Sequence, residues 1–440
     1  MTNSPLGQRP PDRFPVSGPA DILAYIPHSL GFTPQDSLVL MTVDSARLGA
    51  TLRLDLPASS LDYSEFAAKV SDILRSDVSA NGVLMALYTD HGWKRPGSPP
   101  YRRLIQQLNR CLTGKGLPIR DGWVVSATAW REYFCTDSSC CPWPGRPLQE
   151  ITNSTLSAEM VYRGSAYAAT LDQAVALDLP DPWGKPGEPA AAHSEAYRCR
   201  LEGQWCGASQ FAGTLNVWES VFSAAGSGHP KTDPGFPPLR TDPETAGFLL
   251  ASLRARPVRD TLLVMAALGR EQALAGAGAC QLLSVDGLHP LLPPAHRDAA
   301  WVTNSIPGPS ATGPVLNRPL DAARNFRDVL VGQYPQAPHW DSMDAAFTVF
   351  AELLAADAAD EKADREASSA LLSLMSWIEW ARGRGSRAQI FLTRCLDSHP
   401  GYRLAELLEE LLATGVFPAW ATNPGTAWKG AERYPGVART

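Results

Sequence analysis

Three thiols crowd together in this chain at Cys135, Cys140 and Cys141, within the Pro-containing stretch CTDSSCCPWPG. Thiolates are good ligands for zinc, and Cys199, Cys206 or His28 are side chains from elsewhere that would complete four-coordination. Zinc-binding cysteines ordinarily pair across two to four residues; here the gap between the first two thiols is four, at the upper limit, and the third is adjacent, which is unusual for such a site. A redox or nucleophilic thiol is a second chemistry for the same residues. Buried structural thiols are the third, and the one the residue type favours, because free cysteine is among the most buried side chains. No other fingerprint calls for a cofactor and none is predicted; zinc is the one ion that the thiols leave open.

Further polar residues fall where functional groups gather. His28 lies in IPHSLGF, read as a turn entering the first strand, where an imidazole serves as general base or ligand, or simply bonds backbone carbonyls and locks the turn. Asp36, just before that strand, is read as a turn acceptor for local amides. Arg53 and Asp55 alternate with Leu52, Leu54 and Leu56, which places both on one face of a strand. With Glu159 they would line a site for an anionic or zwitterionic ligand; a structural ion pair or a solvent-facing surface is the simpler account. Trp377 and Trp380, three residues apart on one helix, suit either a core or an anchor for a partner peptide.

The familiar catalytic signatures are missing. There is no phosphate loop, no G-x-G-x-x-G after a strand, no H-E-x-x-H and no G-x-S-x-G elbow, which disfavours common nucleotide hydrolases, Rossmann dehydrogenases, zincins and serine hydrolases. A formal charge of −6 gives no basic footprint for a polyanion, so nucleic acid is an unfavoured partner. Lysine occurs at only seven positions, and the abundance of Arg, Ala, Gly and Pro has the look of a GC-rich genome. Residues 1–14 carry no apolar stretch of secretory type, and no apolar run approaches a spanning length, so the expectation is a cytoplasmic protein without a membrane and with reduced thiols.

With 440 residues, 44% of them hydrophobic, the chain exceeds one ordinary core. The patterning predicts a disordered leader at 1–19, an α/β domain at 20–180 with a mixed, partly parallel sheet and packed helices, and an all-α C-terminal half. Within that half, 181–315 reads as helical with Pro/Gly-rich loops, 316–420 as a helical, repeat-like domain and 421–440 as a tail. In the N-terminal domain, strands are predicted at Ser37 to Val43, Gly49 to Leu56, Gly82 to Tyr88 and Gly122 to Thr128, with helices at Ala20 to Tyr25, Asp62 to Leu74 and Arg102 to Leu112. Around Gly383, Ala388, Leu392, Cys395 and Pro400, the spacing of small and turn residues matches one tetratricopeptide-type helix pair; a plain helical bundle accounts for the same pattern.

Several segments together resemble an uncharacterised actinobacterial family, domain-of-unknown-function family 4192. They are IPHSLGFTPQDSLVL (Ile26 to Leu40), LRLDLP (Leu52 to Pro57), the Cys135 to Gly145 stretch, AEMVYRG (Ala158 to Gly164) and RDTLL (Arg259 to Leu263), with a looser likeness through Trp377 and Trp380. The resemblance spans most of the chain after residue 19 and implies no mechanism. The function expected from the sequence is therefore that of a regulatory or interaction protein binding a small-molecule ligand, a protein partner or both. The alternative is an α/β enzyme with its site near His28, Arg53 and the Cys135 to Cys141 loop.

Overall fold

The computed structural model describes residues 16–44, 47–57, 63–90, 93, 98–180, 190–226, 238–285, 289–297, 319–358, 364–423 and 425–429. Most of the predicted leader, most of the Pro/Gly-rich stretches Pro180 to Pro189, Gly226 to Arg240 and Ser305 to Pro319, the middle of the acidic stretch Asp357 to Glu366 and most of the predicted tail lie outside these residues. Two compact units divide after Ala176.

The N-terminal unit is built on a six-stranded sheet of order β2-β1-β3-β4-β5-β6, with β1 Ser37–Val43, β2 Leu48–Asp55, β3 Gly82–Tyr88, β4 Ile119–Val125, β5 Ala129–Glu132 and β6 Arg146–Pro147. Five helices flank or follow its strands: α1 Pro19–Leu30, α2 Tyr63–Arg75, α3 Arg102–Gly114, α4 Gln149–Thr152 and α5 Thr155–Tyr162. β1 pairs antiparallel with both β2 and β3, β3 and β4 run parallel across α3, and β5 and β6 return antiparallel. The apolar runs SLVLMTV and GVLMALY are almost wholly buried, as strands covered on both faces require. Val39, Met41, Ala86, Tyr88, Trp123, Val125 and Trp130 face one way, against α1 and residues of α4. The alternate residues Leu38, Leu40, Met85 and Leu87 face the other, leaving it to the apolar stripes of α2 (Ala67, Val70, Leu74) and α3 (Leu104, Leu108, Leu112), which pack on each other.

Helix α1 runs five residues beyond the predicted end at Tyr25, straight through Pro27. A proline inside a helix forfeits a backbone bond, but Leu23, Ile26 and Pro27 itself are buried, and Gly31, at φ 82°, closes the helix with its N–H on the Pro27 carbonyl. His28 therefore sits in the last turn of a helix, not in a turn entering the strand.

Helix α6, Leu171–Leu177, ends the first unit at the division, and the second unit carries α7 Ala190–Arg200, α8 Ala208–Gly226, α9 Pro243–Ser252, α10 Arg256–Leu268, α11 Arg270–Ala279, α12 Pro319–Leu330, α13 Trp340–Ala358, α14 Arg365–Ala381, α15 Gly385–Ser398 and α16 Arg403–Ala413. The predicted pair near the C-terminus is α14 and α15. Gly383 makes the turn at φ 77°, and Ala388 and Cys395, two helical turns apart, are both fully buried. Among the described residues no helix is long and apolar enough to cross a membrane.

A buried imidazole gives this unit a pH dependence. His296 is fully buried beside the Ser220 hydroxyl at 3.4 Å, and burial, opposed by the Asp242 charge, pulls its pKa down to about 4. In the unfolded chain the imidazole titrates near its ordinary value of about 6.5. Between these values the unfolded state takes up a proton that the folded state refuses, so stability is lost as pH falls from about 6.5 through about 4. Unfolding curves across that window should fall more steeply for the wild type than for His296→Gln; equal slopes would show that His296 does not carry the effect.

Candidate metal centre

The cysteine stretch is the connection between β5 and β6. Because Trp130 pairs with Arg146 and Ala129 with Pro147, the two ends of the connection are held side by side and the residues between them must fold back on themselves. Gly145 lies tight against the β5 backbone, where a Cβ would meet the Trp130 carbonyl oxygen at 2.7 Å. Inside the loop, Asp137 organises the turn: its Oδ1 accepts from the Ser139 N–H at 2.8 Å and the Ser139 hydroxyl at 2.7 Å, and its carbonyl accepts from the Cys141 N–H at 2.8 Å. That turn carries Cys140 and Cys141 back over Cys135, whose thiol leans on the Asp137 carbonyl at 3.7 Å.

The result is a four-donor cluster of Glu132, Cys135, Cys140 and Cys141, with all four ligand atoms within 4.8 Å of one another. The Cys140 and Cys141 sulfurs are 3.9 Å apart, and the Cys141 sulfur is 3.9 Å from a Glu132 carboxylate oxygen. A tetrahedron of zinc–sulfur bonds of about 2.3 Å has edges of about 3.8 Å, close to the two 3.9 Å separations, and the remaining pairs lie within 4.8 Å. Cys141 is buried, Glu132 and Cys135 are half-buried and Cys140 is exposed.

The electrostatics suit a cation. Burial raises the pKa of Glu132, and the neighbouring Asp121 charge raises it further; Asp121 is itself raised, chiefly by burial. Burial pushes the Cys141 thiol up to about 12, with hydrogen bonding to Cys135 adding to the shift. Reactive cysteines need a depressed pKa, so the buried thiol is the reverse of an activated nucleophile.

The sequence placed the thiols but not their fourth partner. Of the proposed completions, His28 bonds the Ser165 hydroxyl through Nδ1 at 2.9 Å and meets the edge of Tyr167, while Cys199 bonds Glu195 on its own helix. Glu132 is the fourth member of the cluster. The signal for it, a carboxylate three residues before Cys135, becomes meaningful only once β5 is paired with β4 and Glu132 is opposite Trp123, next to Asp121.

The other candidates do not converge on this centre. Arg53 pairs with Asp55 at 2.6 Å and donates to the Ser37 hydroxyl at 2.9 Å. Glu159 pairs with Arg163 at 2.7 Å along its own helix, apart from Arg53. Asp36, at φ 40°, accepts from the Thr89 hydroxyl at 3.3 Å. Among the described residues His28 Nε2 is buried without a hydrogen-bond partner and no carboxylate orients the ring, so the His28–Ser165 contact lacks the third member of a nucleophilic triad there. Trp377 and Trp380 are 1% and 3% exposed, and their indole N–H groups donate to the Leu330 and Val416 carbonyls. They are core anchors; α12 and the segment after α16 cover the faces that a partner peptide would need.

A family model described as domain of unknown function (DUF4192) matches residues 19–279 and 338–419. No curated protein and no solved structure matches the chain.

Proposed function

The chain belongs to the family described as domain of unknown function (DUF4192), and from that premise, which supplies no activity, we propose that it is a metal-binding protein holding one zinc-type cation on Glu132, Cys135, Cys140 and Cys141. The observation that carries this reading is the approach of four donors from a single strand and loop to within 4.8 Å. Soft thiolate ligands in a tetrahedral set select zinc over the hard cations, which prefer oxygen. Four protein ligands fill the tetrahedron, as in a structural site, whereas a catalytic zinc keeps one position open. The proposed role is accordingly to fix the β5–β6 loop, where Phe134 and Trp143 are 47% and 40% exposed, as a binding surface. This remains within the expectation of a ligand- or partner-binding protein and adds the ion that shapes the surface. Untagged full-length protein, purified without chelator and desalted, should carry about one zinc per chain by elemental analysis. A content near zero that added zinc fails to raise would overturn the proposal.

A further inference from the structure

Beside the cysteine loop lies a charge that no carboxylate balances among the described residues. Arg131, on β5 next to Glu132, is 7% exposed. Among the described residues no carboxylate pairs with it: its guanidinium stacks over Trp93 at 4.5 Å and Trp143 at 5.3 Å and donates one long bond, 3.5 Å, to the Cys141 carbonyl, while Nε is buried without a partner. Arg146 offers the contrast. It donates to the Cys140 carbonyl at 3.1 Å but is half-exposed and has Glu150 at 3.7 Å as its counter-charge.

A buried guanidinium without a counter-ion is costly, and stacking on indoles offsets only part of that cost. The loop whose Cys141 carbonyl this guanidinium meets would carry negative charge if metallated. Three thiolates and one carboxylate around a divalent cation leave a net charge of roughly −2, held in a partly desolvated place where charges interact strongly. We infer that Arg131 is a positioning residue for this centre, its counter-charge, held in place by Trp93 and Trp143 and tied to the metal loop through the Cys141 carbonyl. The inference rests on the metal-binding reading above. It also explains why an arginine stands here: the planar cation stacks on two aromatic faces and still presents an N–H to a carbonyl, which lysine does less well. Outer-shell partners of this kind typically contribute a factor of about 10–100 in metal affinity.

The test is competition for zinc between full-length protein and a chromophoric chelator, with circular dichroism confirming the fold of each variant. Arg131→Met, which removes the charge and keeps bulk, should bind zinc about 10–100-fold more weakly than wild type. Arg131→Gln, which keeps a donor for the Cys141 carbonyl without the charge, should lose as much, and it carries the comparison if the Met variant does not fold. Arg131→Lys should recover most of the loss, a rescue that a purely structural role would not give. Wild-type affinity in the Gln variant, or a Lys variant as weak as the uncharged ones, would overturn the counter-charge role while leaving the metal centre standing. Wild-type protein that takes no zinc would remove both.

Discussion

Zinc should stabilise the N-terminal unit of the wild-type protein, and Cys141→Ser should abolish that stabilisation. A ligand that binds only the folded state adds about 4 kcal/mol when free at a thousandfold excess over its dissociation constant. Cys141 is the buried member of the set, and its sulfur lies 3.9 Å from both Cys140 and Glu132, so its loss opens the tetrahedron at its most enclosed corner. A serine hydroxyl is far less acidic than a thiol and is not among the usual protein ligands of zinc. The loss in affinity should therefore exceed the roughly 10–100-fold typical of an outer-shell change. Thermal unfolding with and without zinc should show a large shift for wild type and for Cys111→Ser, a thiol on α3 outside the cluster, and none for Cys141→Ser. An undiminished shift in Cys141→Ser would mean that the ion sits elsewhere.

The largest effect on the C-terminal unit is expected from Glu379→Gln. Glu379, on α14, is fully buried, and its carboxylate meets Arg382 at 2.5 Å, Arg387 at 3.2 Å and Arg384 at 3.7 Å. Arg382 also pairs with Asp344 at 2.5 Å and stacks over Phe347, and Arg387 also pairs with Asp178. Trp428 closes the cluster, its indole N–H donating to Asp344 and its ring lying 4.2 Å from the Arg384 guanidinium. The glutamine is isosteric but neutral, which leaves Arg382 and Arg387 buried beside one another without their shared counter-charge. Breaking a buried pair in this way typically costs about 3–5 kcal/mol, much of it the penalty on the charges left behind. Denaturant unfolding followed by tryptophan fluorescence should register a loss of that size. A change below about 1 kcal/mol would show that Glu379 contributes no more than an exposed ion pair.

How much of this was legible in the sequence depended on whether the information was local. Strand β3 matches its predicted limits, Gly82 and Tyr88, because a short apolar run bounded by turn residues declares itself without partners. Helix α11 contains Gly276 and Gly278, which are poor helix formers. The fold explains Gly276: a Cβ there would meet the Phe326 ring of α12 at 2.7 Å, so the close approach of two helices demands it. Strands β5 and β6 span only four and two residues with no alternating apolar pattern, and they exist through pairing with β4 and with each other.

The candidate site divides along the same line. Its three thiols were visible as a cluster in the chain, whereas Glu132 and Arg131 acquire a role only through the pairing of β5, which sends alternate side chains to opposite faces and puts the carboxylate with the sulfurs. Trp377 and Trp380 show the same limit. Three-residue spacing on a helix leaves open whether both indoles point inward, and it was Leu330 and Val416, contributed by distant segments, that accepted their N–H groups and made them core.

The most direct test of the central claim is X-ray absorption at the zinc edge on the purified, metal-loaded full-length protein. The account predicts a four-coordinate first shell of three sulfurs at about 2.3 Å and one oxygen at about 2.0–2.2 Å, with the sulfur count falling in Cys141→Ser. A shell of nitrogen and oxygen alone, or one that keeps all its sulfurs in that variant, would contradict it.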